Sequence, residues 1–404
     1  FGIVIFQCNA QNDNGSEKIT ALADSYYEQF ILMNPQMSYF IGIEIEDHSL
    51  YGLKSISQLK KTEDFEDSLY AELSKIDEAK ISKKSDRITY WILKEQLESN
   101  IGLRICKMDL WNVNHMEGVH HLWTNLADFQ PVKDDNLKQQ AIRRWNKLPL
   151  VISTEIENLK RGIEKGYTMP KEIVSLVIDQ LITLEQYPIN DSPFMSPAKR
   201  GGDKEFAKEW ENIVTTVVIP SFNTYRTFLE TVYLESAREE VSILSLPNGS
   251  ECYQAFIRKQ TTTNMTGAEI FDLGLKIVQQ NKVKIEEIGK ELYNSDDFAE
   301  IIALIRNDST NYFKTSDEIL TYNNKIMNAA ALKCLDWFEV LPSTSATIKP
   351  YEAYESGIGS YEPATANKPP FFRINLSEPA NQTFYSNETL SFHEAYPGHH
   401  LQIG

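Results

Sequence analysis

The chain reads as a mainly α-helical protein with one small β element near its end. Three observations predict this. Apolar residues recur close to every 3.6 positions from about residue 16 to 341. Between those periodic stretches fall helix starts and stops, including a capping box at Thr266-Gly267-Ala268-Glu269. After Leu341 the composition shifts to Pro, Gly, Ser, Thr and Tyr, and a single run, Phe371 to Leu376, alternates apolar and polar as a half-buried strand does.

In chain order, residues 16–33 place Ile19, Leu22, Ala23, Tyr26, Phe30 and Leu32 close to one stripe, and Pro35 closes that helix. Residues 42–57 read as a loop, and helices follow near 58–77 and 84–104. The spacing predicts helix over 135–165, broken or kinked at Pro149, and over 171–187, entered through Pro170. Residues 188–202 are turn-rich. A long helix is expected from about 203 to 238, interrupted at Pro220, and Ser245-Leu246-Pro247-Asn248-Gly249 marks a turn. The capped helix beginning near Gly267 runs to about 293, with two more near 296–306 and 316–337. In the last segment the strand near 371–376 precedes a helix that Ser386 or Asn387 can cap. As an edge strand it would offer its backbone to an extended peptide.

At 404 residues the chain exceeds the roughly 250–300 at which a single core stops growing, so one large body or two lobes are both open. Three segments organise it: a leader and linker at 1–15, a helical body at 16–341, and a loop-strand-helix segment at 342–404. A formal charge of −17 argues against nucleic acid, which needs a basic face. The apolar run Phe1 to Gln7, ending at Cys8 before a polar stretch, has the look of a secretion signal whose cysteine is lipidated, though Phe6-Gln7 is bulkier than such sites prefer. An ordinary N-terminal strand is the other reading. No further stretch reaches the ~18 apolar residues of a membrane span. Cys106, Cys252 and Cys334 are widely scattered, with no C-x-x-C, and are expected as buried free thiols.

Two histidine clusters stand out. His115, His120 and His121 lie beside Gly118 with no glutamate next to His115, and their flanks Trp111, Leu122 and Trp123 are core-like; a structural or supporting role is expected there, with a contribution to the substrate pocket as the other reading. The second cluster is Ser391-Phe392-His393-Glu394-Ala395-Tyr396-Pro397-Gly398-His399-His400-Leu401-Gln402. A His-Glu pair followed within two helical turns by histidines is the vocabulary of a zinc hydrolase, with imidazoles as ligands and the glutamate as general base on metal-bound water. The standard H-E-x-x-H puts its histidines on one helix face. Here Pro397 occupies the second position, and its missing N–H would have bonded the carbonyl of His393, so the helix must kink or open. Two ligand sets remain. His399 pairs with His393 if Pro397-Gly398 acts as an insertion; His400, seven residues on, serves if the helix only kinks. The shorter span favours His399, leaving His400 as a supporting group or alternative ligand. Catalytic zinc usually takes three protein ligands, so a third must come from upstream or from beyond Gly404.

On these residues the chain resembles the bacterial domain of unknown function 885 family, whose members carry H-E-A-x-P-G-H-H-x-Q; here these are His393, Glu394, Ala395, Pro397, Gly398, His399, His400 and Gln402. Arg161-Gly162-Ile163, Gly166 and Pro170 resemble a second family block, and Thr261-Thr262-Thr263 with Leu273-Gly274-Leu275 a third. The resemblance implies a helical, zincin-like metallopeptidase architecture, distantly similar to the carboxypeptidase Taq and angiotensin-converting-enzyme groups. It also implies peptide or small-amide substrates and a secreted, periplasmic or lipid-anchored location in the bacterial envelope. Family members carry E-G-W-x-L-Y-x-E downstream, a source of the acidic third ligand. None of the six tryptophans here has that context, so the natural protein is expected to continue past Gly404. Competing with a zinc peptidase are a metal hydrolase of other amides or esters and a non-catalytic peptide-binding lipoprotein.

Overall fold

The computed structural model describes residues 14–39, 43–351, 357–364 and 369–404. The expected lipidation site at Cys8 lies outside them. The chain forms two compact units, Phe1–Ser38 with Ile45–Gly267, and Tyr39–Glu44 with Ala268–Gly404. The boundary expected at residue 341 thus falls inside the second unit, and the three helices before it cluster with the motif segment.

In the first unit α1 (Asn14–Met33), α2 (Ile56–Leu73) and α3 (Lys84–Leu103) close on Ile19, Leu69, Leu73, Tyr90, Leu93 and Leu97. There follow α4 (Val119–Phe129), α5 (Asp135–Trp145), α6 (Leu148–Lys165), α7 (Lys171–Gln186) and the short α8 (Ser196–Arg200). Side-chain caps set several starts. Asp134 accepts from the Leu137 amide at 2.9 Å, satisfying an end group that the helix itself cannot. The expected break near Pro149 falls at Asn146-Lys147, so the proline sits in the first turn of α6, where no helical N–H is missed. Trp123, Trp145 and Trp210 are wholly buried and meet edge to face, with centroids 5.0 and 5.2 Å apart.

The long helix expected over 203–238 is present as α9 (Lys204–Ile213), α10 (Ile219–Phe228) and α11 (Leu234–Ser236), joined by π turns at Val214–Val218 and Leu229–Tyr233. Pro220 therefore does not interrupt it. The wider turn just before the proline absorbs the missing N–H and the ring. A further helix, α12 (Gly249–Thr261), was not expected; αL residues bound it at Asn248 and Thr262. It carries a correction as well. Cys252 forms a disulfide with Cys106, in the turn after α3, so neither is a free thiol. The fold brings their Cα atoms to 4.8 Å although 146 residues separate them, a proximity that spacing cannot reveal. Cys334 is the buried free thiol expected.

The second unit takes α13 (Gly267–Tyr293), α14 (Phe298–Asn307) and α15 (Ser316–Cys334), then a three-stranded sheet, then α16 (Phe384–Glu394) and α17 (His399–Ile403). The sheet order is β1 (Thr347–Pro350), β3 (Phe371–Ile374), β2 (Gly359–Glu362), with β1 parallel and β2 antiparallel to β3. The strand read from the sequence is accordingly the centre of the sheet, not an edge, because both partners come from the Pro- and Gly-rich segment that reads as loop. Phe372 and Ile374 are fully buried with Ile319, Met327, Ala395 and Tyr396. Arg373, pointing the other way, donates to Glu362 Oε1 at 2.7 Å and lies over the Tyr351 ring, so neither face of β3 is wet. The overall class is the mainly α one expected.

Candidate metal centre

The site is built from one helix, one break and one further turn. Thr383, three residues before Ser386, is the N-cap of α16, and its Oγ1 accepts from the Ser386 amide at 3.3 Å. Ser386 and Asn387 lie inside the helix instead. The helix ends at Glu394. Ala395 leaves helical geometry at φ −110°, ψ −95°, Tyr396–Pro397 is a cis bond, and α17 begins at His399. Gly398 is required by closeness. A Cβ there would stand 1.9 Å from the carbonyl oxygen of His393 and 2.4 Å from that of Phe392. The backbone of the break folds straight back onto the end of α16, and only a residue without a side chain fits.

This fold-back brings His393 and His399 face to edge, with ring centroids 4.8 Å apart and planes at 89°. One ligand atom from each of His393, Glu394 and His399 lies within 4.8 Å of the others. His399 Nε2 stands 4.0 Å from Glu394 Oε2. Glu394 is 6% exposed, whereas His393 is exposed and His399 half-buried. The two imidazoles match zinc in donor type, and the Glu394 carboxylate stands beside them where a general base is needed. Tetrahedral bonds of about 2.0–2.1 Å put ligand atoms about 3.4 Å apart, so the two imidazole nitrogens, within 4.8 Å of each other, need close by at most about 1.4 Å to share an ion. The two open rings have the freedom to turn, around a carboxylate that is packed in place. Among the described residues no other such cluster of His, Cys, Asp and Glu occurs.

His400 is left out of the cluster. It is wholly buried, its Nε2 accepts from the Ala346 amide at 3.2 Å, and its Nδ1 meets the Tyr361 hydroxyl at 3.0 Å. Because an amide can only donate, Nε2 is the acceptor and the neutral ring carries its proton on Nδ1, toward Tyr361. Burial pushes this imidazole below its ordinary value. With both nitrogens committed, His400 anchors α17 to the sheet and does not serve as the alternative ligand.

The other histidine cluster lies in the first unit and is tied up there. His120 is wholly buried with Nε2 at 2.9 Å from Gln180 Oε1, and His121 Nε2 is 3.0 Å from the His115 carbonyl. Burial pushes His120 down to about 4. Sequence reasoning missed three groups that hold the elements around the cluster: Asn323, which bonds the inner face of α16, and Tyr361 and the Ala346 amide, which bond His400. Only one signal pointed to the first of them. Asn387, Ser391 and Glu394 recur at i, i+4 and i+7, a polar stripe along the helix.

Fold and site together define a mainly α protein carrying a local two-histidine, one-carboxylate cluster. The chain belongs to the family described as Bacterial protein of unknown function (DUF885), whose profile matches residues 35–404. It is similar in structure to "the putative lipoprotein from Colwellia psychrerythraea", with TM-score 0.81 and 18% identity, over 96% of this chain and 72% of that one. A second similar structure is "a putative lipoprotein of unknown function from Shewanella oneidensis", with TM-score 0.66 and 14% identity, over 95% of this chain and 71% of that one. At these identities the likeness is one of fold. No curated protein matches the chain.

Proposed function

We propose that the protein is a zinc-dependent hydrolase of peptide bonds, with His393 and His399 as metal ligands and Glu394 as general base. The observation that carries this reading is the fold-back at Pro397-Gly398, which sets both rings and the carboxylate within 4.8 Å. Zinc, when bound, supplies a Lewis acid that acidifies water and polarises a carbonyl. The chain's own part is to hold two nitrogens toward one point and keep Glu394 oriented by burial on α16. The Glu394 carboxylate accepts a proton from the attacking water and returns it to the leaving amide nitrogen. The choice of peptide substrates rests on the resemblance of the motif to metallopeptidases; a panel of peptides, simple amides and esters separates it from the other hydrolase reading. A cell-envelope location fits the names of the two structural neighbours and the Cys106–Cys252 disulfide, which persists in oxidising compartments. No described helix is long and apolar enough to cross a membrane.

The test is zinc content and peptide hydrolysis for the wild type and Glu394→Gln. Stoichiometric zinc in both, with hydrolysis in the first alone, is the expected result. Hydrolysis that survives the substitution overturns the role of Glu394.

A further inference from the structure

We propose that Asn323 is a positioning residue for the metal centre, setting the rotation of α16 about its own axis and so the placement of His393 and Glu394. The proposal rests on the reading of His393, Glu394 and His399 as a metal centre and deepens it.

The geometry is a closed polar lock between two helices. Asn323, on α15, is wholly buried. Its Nδ2 donates to the Ile319 carbonyl at 2.8 Å and to Asn387 Oδ1 at 2.9 Å, while its Oδ1 accepts from Ser391 Oγ at 2.7 Å. Asn387 in turn donates from Nδ2 to the Thr383 carbonyl at 3.2 Å and to Gln382 Oε1 at 3.3 Å. Asn387 is 3% exposed and Ser391 wholly buried. One side chain thus grips α16 at two points a helical turn apart.

Those two points share a face with the reacting group. Asn387, Ser391 and Glu394 fall at i, i+4 and i+7, so they line one stripe, and Glu394 is buried as its two predecessors are. His393, next to Glu394 in sequence, is turned about 100° away and is exposed. Rotation of α16 moves both. A side-chain atom about 6 Å from the helix axis travels about 2 Å for a turn of roughly 20°, against a tolerance of about 0.2 Å in a metal–ligand bond. An all-apolar interface between helices tolerates such turning with small loss, whereas a fully satisfied buried network admits one register. Met327, Ala330 and Ala331 supply apolar packing on α15; the fully buried directional contacts come from Asn323, and a half-buried one runs from the Tyr322 hydroxyl to Glu388 Oε2 at 3.2 Å.

The experiment is a cobalt(II) titration read by the visible absorption spectrum, with circular dichroism and thermal melting as the check on folding. It compares wild type, Asn323→Leu, Ser391→Ala, His399→Ala, and Thr389→Ala on the exposed face of the same helix. The expected result is loss of binding in His399→Ala, about tenfold or greater weakening with an altered spectrum in Asn323→Leu and Ser391→Ala, and no change in Thr389→Ala. If His399→Ala loses cobalt while both lock variants keep wild-type affinity and spectrum, the metal centre stands and the positioning role is overturned. If wild type and His399→Ala bind alike, the centre itself is wrong and the proposal falls with it. Should Asn323→Leu not fold, Ser391→Ala alone decides, since it removes one hydroxyl and leaves no gap larger than a water.

Discussion

Two stretches of this chain each hold three of its seven histidines within eight residues, and they come to opposite ends. In the first unit His120 and His121 are spent on the fold: His120 meets Gln180, and His121 meets the His115 carbonyl. In the second, His400 is spent in the same way, on Ala346 and Tyr361, while its neighbour His399 and His393, across the break, converge on a carboxylate. Histidine density therefore says little. What separates the two stretches is a helix that stops, a backbone that doubles back through Gly398, and a buried acid at the point of return.

The sharpest way to break the comparison is at that acid. Glu394→Gln is expected to lower peptide hydrolysis roughly 100- to 10,000-fold with zinc content unchanged, measured by steady-state rates beside elemental analysis. Next comes the exchange between clusters. His399→Ala is expected to lose stoichiometric zinc after dialysis, whereas His120→Ala keeps it; equal loss in both would erase the distinction drawn here. A third effect belongs to the first unit alone. His120 stays neutral in the fold down to about 4, against 6.5 when unfolded. Its contribution is therefore present in full above pH 6.5 and declines as the pH falls toward 4, because the unfolded chain takes up the proton first. The gap corresponds to about 3 kcal/mol at most. Denaturant unfolding at pH 7 and pH 4.5 should show this slope in the wild type and a flatter one in His120→Gln. The smallest effect expected is at His400. Its replacement by Phe leaves the Ala346 amide and the Tyr361 hydroxyl without their partner, costing about 1–3 kcal/mol in unfolding free energy.

Much of the fold was legible because helical periodicity is local. α1, α3, α7 and α13 lie within a few residues of where the apolar stripes put them. The failures share a cause: each depended on something remote. The Cys106–Cys252 pair spans 146 residues. The strands flanking Phe371–Ile374 consist of residues such as Pro350, Gly359 and Ser360 that favour turns until a partner strand pairs them. Pro220 does stop an ordinary α-helix, and only the π turn before it let this one continue. The centre follows the same division. His393, Glu394, Pro397-Gly398 and His399 fall within seven residues and are readable as a unit. Asn323 and Tyr361, 64 and 39 positions from their partners Asn387 and His400, were not.

The break at Gly398 also has an entropic consequence. Only five residues separate His393 from His399, so bringing the two rings together closes a short loop, at a smaller entropic cost than joining remote segments. What so short a loop lacks alone is a fixed geometry, and α15 and the sheet supply it by holding its two ends.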